Sequence, residues 1–103
     1  MNRILIADDN VQITEILKKF AIKEDLDVDV AYDGQAAWEL FLENNYDVVL
    51  LDIMMPKIDG YDLCKKIRSK SMVPIIMITA KGEDYEKIMC LDSGADDYIV
   101  KPF

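Results

Sequence analysis

Residues 48–52 read Val-Val-Leu-Leu-Asp: four apolar residues in a row, then a carboxylate. A short, unbroken apolar run is what a strand covered on both faces requires, and an acid at its end is costly to bury without a partner. The same grammar recurs along the chain. Ile4-Leu5-Ile6-Ala7 runs into Asp8-Asp9, Ile75-Ile76-Met77-Ile78 into Thr79, and Tyr98-Ile99-Val100 into Lys101. Helical patterns lie between them. Over 11–23, Ile13, Ile16, Leu17, Phe20 and Ala21 follow the spacing of one apolar stripe, with Asn10 placed as its N-cap. Residues 27–32 alternate apolar and polar, as an edge strand does. A helix over 34–44 buries Ala37, Leu40 and Phe41. After a strand at 47–51 and a turn-rich segment from Met54 to Gly60, a third helix over 60–69 carries Leu63, Cys64 and Ile67 on one side. Further strands are expected at 74–78 and 97–100, with a fourth helix over 83–92 that ends before Gly94. Strand and helix thus alternate throughout, giving five strands and four helices. This is an α/β chain with an open parallel sheet, read as one domain over 1–103.

Composition excludes several classes of function. The net charge of −8 argues against this segment gripping nucleic acid, because phosphate contacts require basic patches. There is no histidine, which removes Ser-His-Asp and Cys-His catalysis. Cys64 and Cys90 are the only cysteines; they fall on different predicted helices and form no CxxC pair, so free thiols are expected. No apolar stretch approaches the about 20 residues that cross a bilayer, and the chain enters a strand directly after Met1-Asn2-Arg3. A cytoplasmic protein without membrane contact is the expectation.

In a parallel α/β sheet the strand C-termini open onto one edge, where ligands bind. Asp8, Asp9, Asp52, Thr79 and Lys101 would therefore converge. Taken singly, each has an ordinary explanation: one of the acids capping the next helix, Thr79 as a strand-end residue, Lys101 as a solvated lysine. Together they make a site of three carboxylates, a hydroxyl and an ammonium. Clustered carboxylates repel one another and call for a cation, and an all-oxygen set suits Mg²⁺. A carboxylate beside Mg²⁺ and a lysine is equipped to attack phosphorus and form an acyl phosphate, which points to Asp52. Glycines are not arranged as GxGxxG or GxxxxGK, so the phosphoryl group must arrive on another molecule.

The runs Ile6-Ala7-Asp8-Asp9-Asn10, Leu51-Asp52-Ile53-Met54-Met55-Pro56, Asp59-Gly60, Ile78-Thr79-Ala80 and Gly94-Ala95-Asp96-Asp97-Tyr98 through Lys101-Pro102-Phe103 resemble the receiver domain of two-component response regulators. The resemblance covers the whole chain. It implies a flavodoxin-like, doubly wound sheet of five parallel strands in the order 2-1-3-4-5. It implies a sensor histidine kinase as phosphodonor and Asp52 as phosphoacceptor. Mg²⁺ would be held by Asp9, Asp52 and the Met54 backbone carbonyl, and by Asp8 through water. Thr79 and Lys101 would contact the phosphoryl oxygens, the Lys101-Pro102 bond would be cis, and Tyr98 would act with Thr79 as the switch.

The closing run looks most like receivers that carry a C-terminal winged-helix output domain, so DNA binding and transcriptional control are expected outside this segment. The family's fifth helix is missing after the last strand, and a truncated receiver is the expectation. Apolar side chains of strands one, three and five should then be bare, inviting a homodimer or swapped oligomer through that face. Two other functions compete. A Mg²⁺-dependent phosphatase or mutase with an aspartyl nucleophile typically has an acid two residues later, where this chain has Met54. A non-phosphorylated interaction module would have lost Asp52, Lys101 or the acidic pair, and all are present. The chain is therefore expected to catalyse only its own phosphorylation and dephosphorylation.

Overall fold

Apolar runs that cannot face water on either side pair side by side and take helices on both faces. In the computed structural model, which describes residues 2–79 and 92–100, they do so as strands β1 (Arg3–Ala7), β2 (Asp27–Ala31), β3 (Val48–Asp52), β4 (Ile75–Thr79) and β5 (Asp97–Val100). The described helices are α1 (Val11–Lys23), α2 (Gly34–Glu43) and α3 (Gly60–Arg68). All strand pairs are parallel, and the order is β2-β1-β3-β4-β5. This is the doubly wound arrangement expected. The helix predicted over 83–92 falls, apart from Asp92, outside the described residues, as do Cys90, Lys101 and Pro102.

Each described helix starts on a side chain that accepts from its otherwise unpartnered first-turn amides. Asn10 accepts from the Gln12 and Ile13 amides, Asp33 from Ala36, and Asp59 from Asp62. Boundaries agree with the pattern to within one residue. The differences carry meaning: β3 runs through Asp52 and β4 through Thr79, because ladder pairing continues past the last apolar residue.

Strand alternation divides the core in two. Leu5, Ala7, Val49, Leu51, Ile75 and Met77 face α2 and α3, packing with Ala37, Leu63, Cys64 and Ile67. Ile4, Ile6, Leu50 and Ile78 face α1 and pack with Ala21 and Leu17. Cys64 is a buried free thiol. Burial pushes its pKa up, opposed by a hydrogen bond from its neighbourhood at Ser93.

The expectation of bare apolar side chains on this sheet face needs correction for β1 and β3, whereas Ile99 on β5 is 39% exposed. Ile4, Ile6, Leu50 and Ile78 are at most 8% exposed. Leu17 of α1 and Leu26, with Val28 and Val30 of the neighbouring β2, pack against them. Among the described residues of α1 and β5, the exposed large apolar side chains are Val11, Ile16, Phe20 and Ile22, with Phe20 at 64%, and Ile99 and Val100. Two residues of the predicted α1 stripe thus lie outside the core, while Thr14, absent from that stripe, is fully buried. Its hydroxyl donates to the Val11 carbonyl at 2.8 Å, which satisfies it there.

Candidate functional site at the carboxyl edge of the sheet

The pairing register brings the strand-end residues level. Ala7 pairs with Leu51, so the next step sets Asp8 beside Asp52, and Asp52 itself pairs with Ile78, one residue before Thr79. Thr79 pairs with Val100, the residue preceding Lys101 in the chain. Oxygens of Asp8, Asp9 and Asp52 all lie within 4.8 Å of one another. Asp8 is fully buried and Asp52 is 4% exposed, whereas Asp9 is open to solvent. Thr79 is buried and Tyr98 half-buried. Tyr98 packs against the core cluster on the α2–α3 side.

The everyday explanation of the acidic pair, that one of them caps α1, does not hold. Asn10 performs that role with its own oxygen, at 2.9 Å from the Gln12 amide and 3.2 Å from Ile13. Asp8 instead accepts the Asn10 amide at 2.8 Å, which fixes the turn out of β1, and its own amide donates to the Ala31 carbonyl. The two acids are therefore left to define a concave, negatively charged edge. The floor is set by the β3–α3 connection. The Gly60 amide donates to the Ile53 carbonyl at 2.8 Å. A Cβ at Gly60 would run into the Asp52 carbonyl, so only glycine lets α3 start this close to the strand end.

Met54 and Met55, adjacent in the turn-rich segment, divide. Met55 is buried in the core, but Met54 is 76% exposed. It lines an open recess with Asp9, Pro56 and Asp59. Of the predicted site residues, Asp8, Asp9 and Asp52 are brought together as side chains, and Thr79 ends the adjoining strand. Lys101 and the Lys101-Pro102 peptide lie outside the described residues.

The donor set fits a hard divalent cation. Three carboxylates, two of them buried, form an all-oxygen cluster whose mutual repulsion a cation would relieve. Sequence reasoning missed one cluster at the opposite, amino edge of the sheet, where Arg68 reaches Asp96 at 2.6 Å. The partners are 28 positions apart, and no local pattern signals the pair.

Comparison with known proteins adds to this geometry. The response regulator receiver domain model matches residues 4–103. Response regulator ArlR of Staphylococcus haemolyticus is 45% identical over 103 residues, covering 100% of this chain and 47% of that protein. Transcriptional regulatory protein SrrA of Staphylococcus aureus is 48% identical over 102 residues, covering 99% of this chain and 42% of that protein. The chain thus spans about half the length of the curated relatives it matches. Among solved structures, the BeF3-activated N-terminal receiver domain of Klebsiella pneumoniae RstA superposes with a TM-score of 0.94. It shares 35% identity, and the match covers 99% of this chain and 87% of that one. No described helix is long and apolar enough to cross a membrane. A strand order of 2-1-3-4-5, an acidic cluster at its carboxyl edge and a family match over nearly every residue agree: this chain belongs to the receiver domain family of response regulators.

Proposed function

We propose that this receiver is a phospho-accepting switch in which Asp52 takes a phosphoryl group from the phosphohistidine of a sensor kinase. The observation that carries the reading is the convergence of the Asp8, Asp9 and Asp52 oxygens within 4.8 Å at the sheet edge. Mg²⁺ would be held by Asp9, Asp52 and the Met54 carbonyl, with Asp8 contributing through water. When bound, it supplies neutralising charge to the phosphoryl oxygens.

The chain's own part is positioning. The end of β3 sets the Asp52 carboxylate beside those of Asp8 and Asp9, with Gly60 letting α3 start close behind it. An Asp52 oxygen forms the new bond to phosphorus as the phosphorus–nitrogen bond to the kinase imidazole breaks, and the imidazole takes up a proton. Thr79 donates its hydroxyl to one phosphoryl oxygen and Lys101 pairs with another. The Thr79 hydroxyl moving toward the phosphoryl group frees space into which Tyr98 turns. That rearrangement is the signal passed to a transcriptional output domain outside this segment. The name of transcriptional regulatory protein SrrA, of which this chain covers 42%, supports an output of that kind. A cytoplasmic setting follows from the kinase partner.

Incubation with a small phosphodonor and Mg²⁺ should add one phosphoryl group, labile to base and to hydroxylamine. Asp52→Asn should abolish it. Normal labelling of a folded Asp52→Asn variant would sink the assignment.

A further inference from the structure

The strand that leads into Lys101 is held weakly by the sheet. β5 has four residues and pairs on one side only, with β4. Among the described residues, a guanidinium from the far end of α3 ties its approach, beside the pairing of Asp96 with Ile75. Arg68 Nε donates to the Gly94 carbonyl at 2.8 Å and Nη1 to the Val73 carbonyl at 2.6 Å. Nη2 meets the Asp96 carboxylate at 2.6 Å. That same carboxylate oxygen accepts the Ile75 amide at 2.8 Å, and the Asp96 amide donates to the Ile75 carbonyl at 2.9 Å.

One side chain, 14% exposed, thereby joins three segments: the end of α3, the approach to β4 and the approach to β5. The turn before β5 conforms to it. Gly94 has φ +102°, and a Cβ there would lie 2.8 Å from the Arg68 Cγ. A planar fork of five donors satisfies such a divergent set of acceptors; a lysine ammonium does not.

We infer that Arg68 is a positioning residue for the β5 half of the phosphorylation site, setting the tilt of the strand that bears Tyr98 and runs on to Lys101. The inference rests on the proposed function above and divides the site in two. Asp8, Asp9 and Asp52 sit on the exits of β1 and β3, which the Arg68 network does not touch. Metal binding should be independent of Arg68, and binding of the phosphoryl group should not be.

The test compares the 103-residue chain with its Arg68→Gln, Arg68→Lys and Asp96→Asn variants. Each is titrated with Mg²⁺ alone and then with beryllofluoride in saturating Mg²⁺, and NMR follows the Tyr98 ring. Arg68→Gln should keep its Mg²⁺ affinity within about twofold and lose about tenfold or more in beryllofluoride affinity, as loss of charge-assisted hydrogen bonds implies. Its ligand-free Tyr98 resonances should shift. Arg68→Lys should not rescue either effect, and Asp96→Asn should fall between. Equal losses of both affinities in parallel with melting temperature would reduce Arg68 to a general structural role and overturn the inference, as would unchanged beryllofluoride affinity. Should Arg68→Gln fail to fold, Asp96→Asn alone decides by the same two affinities. Wild-type protein that binds no beryllofluoride would refute the proposed function itself, while an unshifted ligand-free Tyr98 in the variants would refute the role of Arg68 separately.

Discussion

Neutralising one of the buried acids should make the metal-free protein more stable. Asp8 and Asp52 are 0% and 4% exposed, with oxygens no more than 4.8 Å apart. At that separation and an effective dielectric of about 20, two like charges repel by about 3 kcal/mol. Asp8→Asn removes that repulsion while keeping an oxygen to accept the Asn10 amide. The exchange of a charged for a neutral acceptor costs about 1 kcal/mol. A net gain of about 2 kcal/mol follows, which for a domain of this size raises the melting temperature by roughly 10 °C. Thermal melts by circular dichroism in EDTA should show the rise. The same variant should gain less than wild type when millimolar Mg²⁺ is added, because ligand stabilisation scales with native-state affinity. Burial keeps salt from screening this pair as it would an exposed one, so the gain should persist at high ionic strength. Asp8→Asn melting at or below wild type in EDTA would refute the view that the cluster stores charge repulsion.

The remaining predictions concern the scaffold around the site. Gly60→Ala should lower the rate of phosphorylation by a small phosphodonor as well as stability, since its Cβ would displace the Asp52 backbone; unchanged labelling kinetics would show that the close approach is not needed. Asn10→Ala should cost about 1 kcal/mol in urea unfolding by uncapping α1, with Asp8 and Asp9 unable to substitute. Tyr46 has its pKa raised above the ordinary 10.0, chiefly by burial and further by its hydrogen bond to Asp29. A raised pKa contributes stability that is fully present below about pH 10 and lost as pH climbs through the folded-state value. Unfolding free energy should therefore fall more steeply above about pH 10 in wild type than in Tyr46→Phe. Parallel profiles would contradict it.

Much of this was legible in the sequence because the chain is locally consistent. Val48 to Leu51 could only be a strand covered on both faces, and the acid that follows marks which edge carries chemistry. Asn10 sits where α1 begins, so that start follows from side-chain chemistry alone. Periodicity misled at α1. The apolar stripe was wider than the surface available to it, and Phe20 and Ile16 lie at its edge while Thr14 takes a buried place. Stripe width shows which residues can be buried, not what neighbour is there to bury them. The Arg68–Asp96 network was invisible for a different reason. It joins residues far apart in sequence through backbone carbonyls, which carry no sequence signature.

The most direct measurement is a crystal structure of this chain grown with Mg²⁺ and beryllofluoride. The account predicts one metal ion bonded to both Asp9 and Asp52, with the beryllium on an Asp52 carboxylate oxygen, and fluorides facing Thr79 and Lys101. Beryllofluoride on another side chain, or a metal bound away from Asp8, Asp9 and Asp52, would contradict it.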